Sequence, residues 1–214
     1  MKSFSKRPSN VNALHSHVRR LLKKYKSEYR LHEVRAQFMG AIASPVEIVN
    51  PMQEIKSLWN GDLPSLKNMD AINELVKVFA MGLWNQLSSH CDPEDPFKLL
   101  VFEEPIETDK ELKRYALIKN EEIECFIFGF YQGAERLKLP LDISKSLDAL
   151  EDISDMFAAT ASMPERKNTA TPPIGSLLLK LNRLSIIAEK EINTIIISSN
   201  KARRHANAQS RTLH

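Results

Sequence analysis

Residues 108–137 read TDKELKRYALIKNEEIECFIFGFYQGAERL, and the reading of this stretch decides the fold. Thr108 followed three residues later by Glu111 is the pattern of a capping box, in which each side chain satisfies a backbone N–H at a helix start. Beyond it Ile123, Phe126, Ile127, Phe130 and Leu137 recur at helical spacing, and Pro140 follows as a stop. The stretch predicts a long helical segment with a break near Asn120. Its most apolar part, IECFIFGFY at 123–131, is interrupted by Glu124 and falls well short of the roughly 20 apolar residues of a membrane span. No membrane partner is expected.

Two glycines in this segment, Gly129 and Gly133, stand four apart and so share a helix face. Gly40 and Gly82 also fall inside predicted helices. Glycine in a helix interior costs about 1 kcal/mol relative to alanine. Four of the six glycines in such positions predict close backbone approach between helices, with Ala36, Gly40 and Ala43 forming a matching small face.

Working outward, apolar spacing marks helices on both sides. Leu14, Val18, Leu21, Leu22, Tyr25 and Tyr29 form an N-terminal stripe opposite a basic face of Arg19, Arg20, Lys23 and Lys24. A helix from Leu31 to Ala43 stops before Pro45. Asn50 and Pro51 open a short one, and Gly61 closes it. Ile72, Leu75, Val76, Phe79, Leu83 and Leu87 give the stripe of a helix beginning near Asn68 or Asp70. Leu147, Leu150, Ile153 and Phe157 mark another, and Leu177, Leu181, Leu184, Ala188 and Ile195 a long last one.

These readings predict an all-α fold, a single-domain bundle of about six to eight helices with basic terminal extensions. The predicted divisions are an N-terminal helical extension at 1–30, a core at 31–162 and a linker at 163–175. A C-terminal helix follows at 176–205, then a frayed tail at 206–214.

Charge is segregated along the chain. Residues 1–35 hold ten Lys/Arg against two Asp/Glu, and residues 161–214 hold nine against three; residues 36–160 hold eleven against 22. An acidic middle thus lies between two basic ends, which can meet an acidic protein or nucleic acid. The candidate partner-binding residues are Arg19, Arg20, Lys23 and Lys24 at one end and Lys201, Arg203 and Arg204 at the other.

One stretch has the residue types of a reactive site: SSHCDPEDPF at 88–97. His90, Cys91 and Asp92 are adjacent, but neighbouring positions on a helix point apart. They therefore fit neither a tetrahedral metal set nor a Cys–His nucleophile. The reading that uses every residue is a helix exit, with Asp92 capping the turn before Pro96 and Phe97 returning to the core. No phosphate-loop, dinucleotide, zincin or nucleophile-elbow motif is present. Neither a catalytic residue nor a metal or cofactor is assigned. Cys91 and Cys125, far apart and in no CxxC pair, fit a reducing cytoplasm.

Three segments together resemble a known family. FMGAIASPVEIVNPMQEIKSLWNGDLP, LWNQLSSHCDPEDPFKLLVF and IECFIFGFYQGAERL occur in the order and spacing of the YecA/YgfB-like family of small bacterial proteins, over about residues 30–160. The Trp that many members carry is replaced here by Cys125 or Phe126, and no cysteine follows to form the zinc-binding tail of longer members. The resemblance implies an all-helical cytoplasmic protein with no established activity, in a family some of whose members are thought to act by binding regulatory proteins. With the absent catalytic motifs, it gives the expectation of a non-enzymatic adaptor or regulator, with a homo-oligomer among the partners open to it. A nucleic-acid-associated regulator using the basic ends is the alternative, and an enzyme of unknown class the second.

Overall fold

The computed structural model describes residues 8–45, 50–134, 137–164 and 173–212, with the side chains of 8–10 and 205–212 left aside. The chain is all-helical, with no strand among the described residues. In order come α1 (Pro8–Lys24), α2 (Leu31–Ala43), α3 (Pro51–Ser57) and α4 (Met69–Leu75). The last runs directly into a π-helix (Val76–Trp84), then α5 (Asn85–Ser88) and a 3-10 turn (Ser89–Cys91). There follow α6 (Asp109–Tyr131), α7 (Leu141–Ala161) and α8 (Ile174–Thr212). No described helix is long and apolar enough to cross a membrane.

The helix starts follow side-chain caps. Asn50 accepts from the Met52 N–H at 2.9 Å and Asn68 from the Ala71 N–H at 3.1 Å. Thr108 accepts from the Glu111 N–H at 3.2 Å while Glu111 accepts from the Thr108 N–H at 2.9 Å, completing the capping box. After α3 the chain turns through Asn60 and Gly61, both in the left-handed region, and the Gly61 N–H bonds back to the Lys56 carbonyl at 3.0 Å.

α2 is the centre of the molecule. Buried residues cover it on nearly every side, as expected of a helix with little polar face. It lies against α6, and α6, α7 and α8 pack in succession. Where α2 crosses α6, a Cβ on Gly40 would fall 2.0 Å from the Phe126 carbonyl oxygen. One on Gly129 would fall 2.0 Å from that of Gln37. This is the close approach expected of Gly40 and Gly129. Gly82 differs: it lies in the π-helix beneath α1, where a Cβ would meet the Leu14 side chain (Cδ1 at 2.7 Å) and not the backbone of another helix.

Three boundaries differ from the sequence reading. α6 has no break at Asn120, because the side chain there is buried and its Oδ1 accepts from the Ser154 hydroxyl at 2.7 Å, tying α6 to α7. α6 also ends earlier, at Tyr131, where Gln132 adopts a left-handed conformation (φ 47) and Gly133 follows at φ 75. Gly133 is thus an exposed turn residue with nothing near its missing Cβ, and it shares no helix face with Gly129. Finally, α8 starts at Ile174, inside the predicted linker, and continues to Thr212 through the segment predicted to fray. At 39 residues it is about 58 Å long at 1.5 Å per residue. The rest of that linker, 165–172, lies outside the described residues.

Candidate functional site

The 88–97 stretch is a built turn. Asp92 Oδ1 accepts from the Glu94 N–H at 3.1 Å, and the Asp92 carbonyl accepts from the Asp95 N–H at 3.0 Å. His90 Nδ1 lies 2.8 Å from the Asp95 carbonyl, and its ring packs edge-on against the fully buried Phe97. Asp92 caps the turn as expected. Burial pushes the Cys91 thiol up, with Arg203 and Arg204 opposing, and burial pushes the Cys125 thiol up to about 12. Neither is poised as a thiolate at neutral pH.

Beyond this turn Phe97–Leu100 belong to no helix or strand, so side chains satisfy their backbone. Asn193 accepts from the Phe97 N–H at 2.8 Å and donates to the Phe97 carbonyl at 2.9 Å. Arg35 donates to the Lys98 carbonyl at 3.1 Å, and Glu189 accepts from the Leu99 N–H at 3.2 Å. Glu122 accepts from the Leu100 N–H at 2.8 Å, while Lys119 donates to the Leu100 carbonyl at 2.5 Å and to Glu122 at 3.0 Å. Lys119 and Glu122 are both buried. Glu122 is therefore occupied by Lys119 and the backbone, leaving the nearby Arg35 without a carboxylate of its own.

Arg35 faces a cleft of about 780 Å³ between α1, the 25–30 loop, α2 and α6. Five cationic side chains line it: Arg19, Lys23, Arg30, Arg35 and Arg114. Leu22, Leu31, Leu100 and Ile118 supply apolar wall, and Glu28 is the one lining carboxylate. Arg30 pairs with Glu121 at 3.4 Å. Arg19, Lys23, Arg35 and Arg114 have no carboxylate partner among the described residues. Burial holds the Arg35 guanidinium below its usual range, Glu122 works against this, and Arg19 adds to it. His15, also in the wall, is pushed down by burial and then by Arg35 and Arg19. Five cations thus face this space against one lining carboxylate, an arrangement suited to an anion.

Of the basic residues singled out in the sequence, only Arg19 and Lys23 line this cleft. Arg20 and Lys24, one position on, turn instead toward α4 and pair with Glu74 at 2.6 and 3.4 Å. They are partly engaged rather than free, because the α1 stripe of Val18, Leu21 and Leu22 docks that side of the helix. α1 packs on the π-helix and α2. At the other end Lys201 and Arg204 are exposed, but Arg203 donates to the Ile42 carbonyl at 2.5 Å. Arg203 thus satisfies the C-terminal end of α2 and is not a free partner-binding cation. The cleft takes the residues of α2 from its N-terminal end to Arg35, roughly 10 to 18 Å from Ile42 along the helix at 1.5 Å per residue. The two basic ends form two surfaces.

Sequence reasoning missed Arg30, Arg35 and Arg114, which come from a loop and two further helices. The one available signal was Arg35 itself, a lone cation on a helix whose other residues are nearly all buried. It also missed a trio: His32, Glu33 and Glu121 bring one ligand atom each within 4.8 Å of one another. Those atoms have other partners, since Glu33 accepts from the Arg30 N–H at 2.6 Å and Glu121 lies 2.8 Å from His32 Nε2.

No family model matches the chain, and neither a curated protein nor a solved structure matches it. The likeness to the YecA/YgfB-like family accordingly rests on the quoted motifs alone.

Proposed function

We propose that the protein is a non-enzymatic cytoplasmic adaptor or regulator that takes an acidic segment of a partner protein into the cleft between α1, α2 and α6. The observation that carries this reading is the convergence of Arg19, Lys23, Arg35 and Arg114 on one space without carboxylate partners. The apolar wall of Leu22, Leu31, Leu100 and Ile118 supports a peptide in preference to a bare polyanion, because it offers burial to the side chains between the charges. The motif resemblance to a family associated with protein binding points the same way.

Nucleic acid is the competing ligand. A phosphate backbone asks for a continuous basic track. Arg203 is instead engaged by the Ile42 carbonyl at the other end of α2, which interrupts such a track between the cleft and the exposed Lys201 and Arg204. A fluorescent glutamate-rich peptide and an oligonucleotide of equal charge, titrated at several salt concentrations, distinguish the two. The proposal expects the peptide to bind and the oligonucleotide to compete poorly. Tighter oligonucleotide binding with a steep salt slope would move the assignment to nucleic acid.

A further inference from the structure

We infer that the acidic segment this cleft accepts is a phosphorylated one, with a phosphate monoester seated among Arg19, Arg35 and Arg114 beside the N-terminus of α2. This rests on the reading of the cleft as a partner-binding site and names the group that the site recognises.

The first argument is the kind of cation present. Four of the five lining cations are arginines. A guanidinium presents a rigid fork of donors that meets two oxygens at once, whereas a lysine is a point charge. An arginine cluster is the usual device for holding phosphate groups on a peptide.

The second is how Arg35 is held. Its Nη2 is fixed on the Lys98 carbonyl at 3.1 Å and its guanidinium sits 5.3 Å from the Phe97 ring centroid. Its Nε is buried without any hydrogen-bond partner. The Phe97–Leu100 segment that fixes it is itself strapped by Asn193, Glu189 and Glu122. A charge placed this firmly, next to another unpaired guanidinium, is costly in the empty protein. A carboxylate neutralises one such charge and a phosphate dianion neutralises two.

The third is the helix end. Residue 30, at the N-cap of α2, is an arginine, which has no acceptor to offer, so no N-cap side chain takes up the N–H groups of the first turn, and Glu33 takes up only the Arg30 N–H at 2.6 Å. Arg30, Leu31 and His32 form part of the cleft wall. The uncapped N–H groups and the helix dipole of this 13-residue helix add to the field of the three arginines. The cleft, at about 780 Å³, is far larger than a phosphate ion. Its remaining apolar wall suits the residues flanking a phosphorylated side chain.

The test uses the full chain and three versions of one fluorescent glutamate-rich peptide, with serine, phosphoserine or glutamate at the centre, measured by anisotropy at about 0.15 M salt. The phosphoserine peptide is expected to bind at least about tenfold tighter than the glutamate one. Inorganic phosphate is expected to compete at millimolar concentration. Arg35→Lys should lower the phosphoserine-to-glutamate ratio while leaving the glutamate peptide bound. Arg114→Lys, at an exposed position, should do the same and carries the test if Arg35→Lys fails to fold. Equal binding of the phosphoserine and glutamate peptides overturns the inference and leaves the acidic-segment reading standing. No binding of either overturns both.

Discussion

Gly40 and Gly129 sit opposite each other across the α2–α6 crossing, each so close to the facing backbone that a methyl group on it would overlap a carbonyl oxygen at 2.0 Å. The contact is backbone against backbone, so no rotamer change relieves it. It lets α2 sink into the bundle, with Arg35, five residues before Gly40, in the wall of the cleft.

Gly40→Ala and Gly129→Ala are each expected to destabilise the protein by about 1–3 kcal/mol or more, because the helices must separate to admit the methyl group. Gly133→Ala should cost only about 1 kcal/mol, from placing a side chain at a positive φ in open space. Gly175→Ala, near the start of α8 with nothing around it, should stabilise by up to about 1 kcal/mol. Urea unfolding midpoints rank the four. Gly129→Ala at or above wild type would deny the close crossing.

The docking of α1 rests on its apolar stripe. Val18 and Leu21 are fully buried and Leu14 packs over Gly82. Replacing Leu14, Val18 and Leu21 by Asp should detach α1, make it the first site of limited proteolysis and remove one wall of the cleft. The Arg20–Glu74 and Lys24–Glu74 pairs are largely exposed. Reversing Arg20 and Lys24 should therefore change stability by less than about 1 kcal/mol. A stable, protease-resistant triple variant would show that charge holds the helix.

Glu54 makes a pH-dependent contribution. It is buried beside Gln37, whose amide donates to its Oε2 at 3.3 Å, and burial raises its carboxyl above the ordinary 4.5, the hydrogen bond opposing. The folded state therefore holds this proton more tightly than the unfolded state. The associated stability is fully present below about 4.5 and is lost as pH rises through the folded value. Glu54→Gln should raise the melting temperature at pH 7 and have little effect near pH 4. The new amide could also donate to Gln37 Oε1, which is buried without a partner. A stabilisation that is equal at both pH values would assign the effect to hydrogen bonding alone.

What the sequence made legible was local. Asn50, Asn68 and Thr108 announce their helices because a cap acts within three residues, and the α1 stripe is a matter of spacing. Gly133 was misread because its neighbour Gln132 takes the left-handed turn, a conformation that a residue type other than glycine does not advertise. The π-helix at 76–84 keeps an apolar stripe that a regular helix would share, so nothing in the pattern reveals its wider turn. The cleft was half visible. Arg19 and Lys23 stand four apart on a predicted basic face, but Arg35 and Arg114 join them only through the α2–α6 crossing. Arg203 looked free because its acceptor, the Ile42 carbonyl, is 161 residues away.

The most direct test of the account is whether the cleft, and not basic charge in general, binds the acidic segment. Arg19→Gln, Lys23→Gln and Arg114→Gln combined remove three cleft charges at exposed positions, while Lys201→Gln with Arg204→Gln removes charge from the exposed face of α8. Binding of the glutamate-rich peptide is measured for each, alongside the melting temperature. The account predicts at least about a tenfold loss of affinity (1.4 kcal/mol) in the cleft variant, with the melting temperature nearly unchanged and the α8 variant close to wild type. Equal losses in the two variants, or a loss confined to the α8 variant, would contradict it.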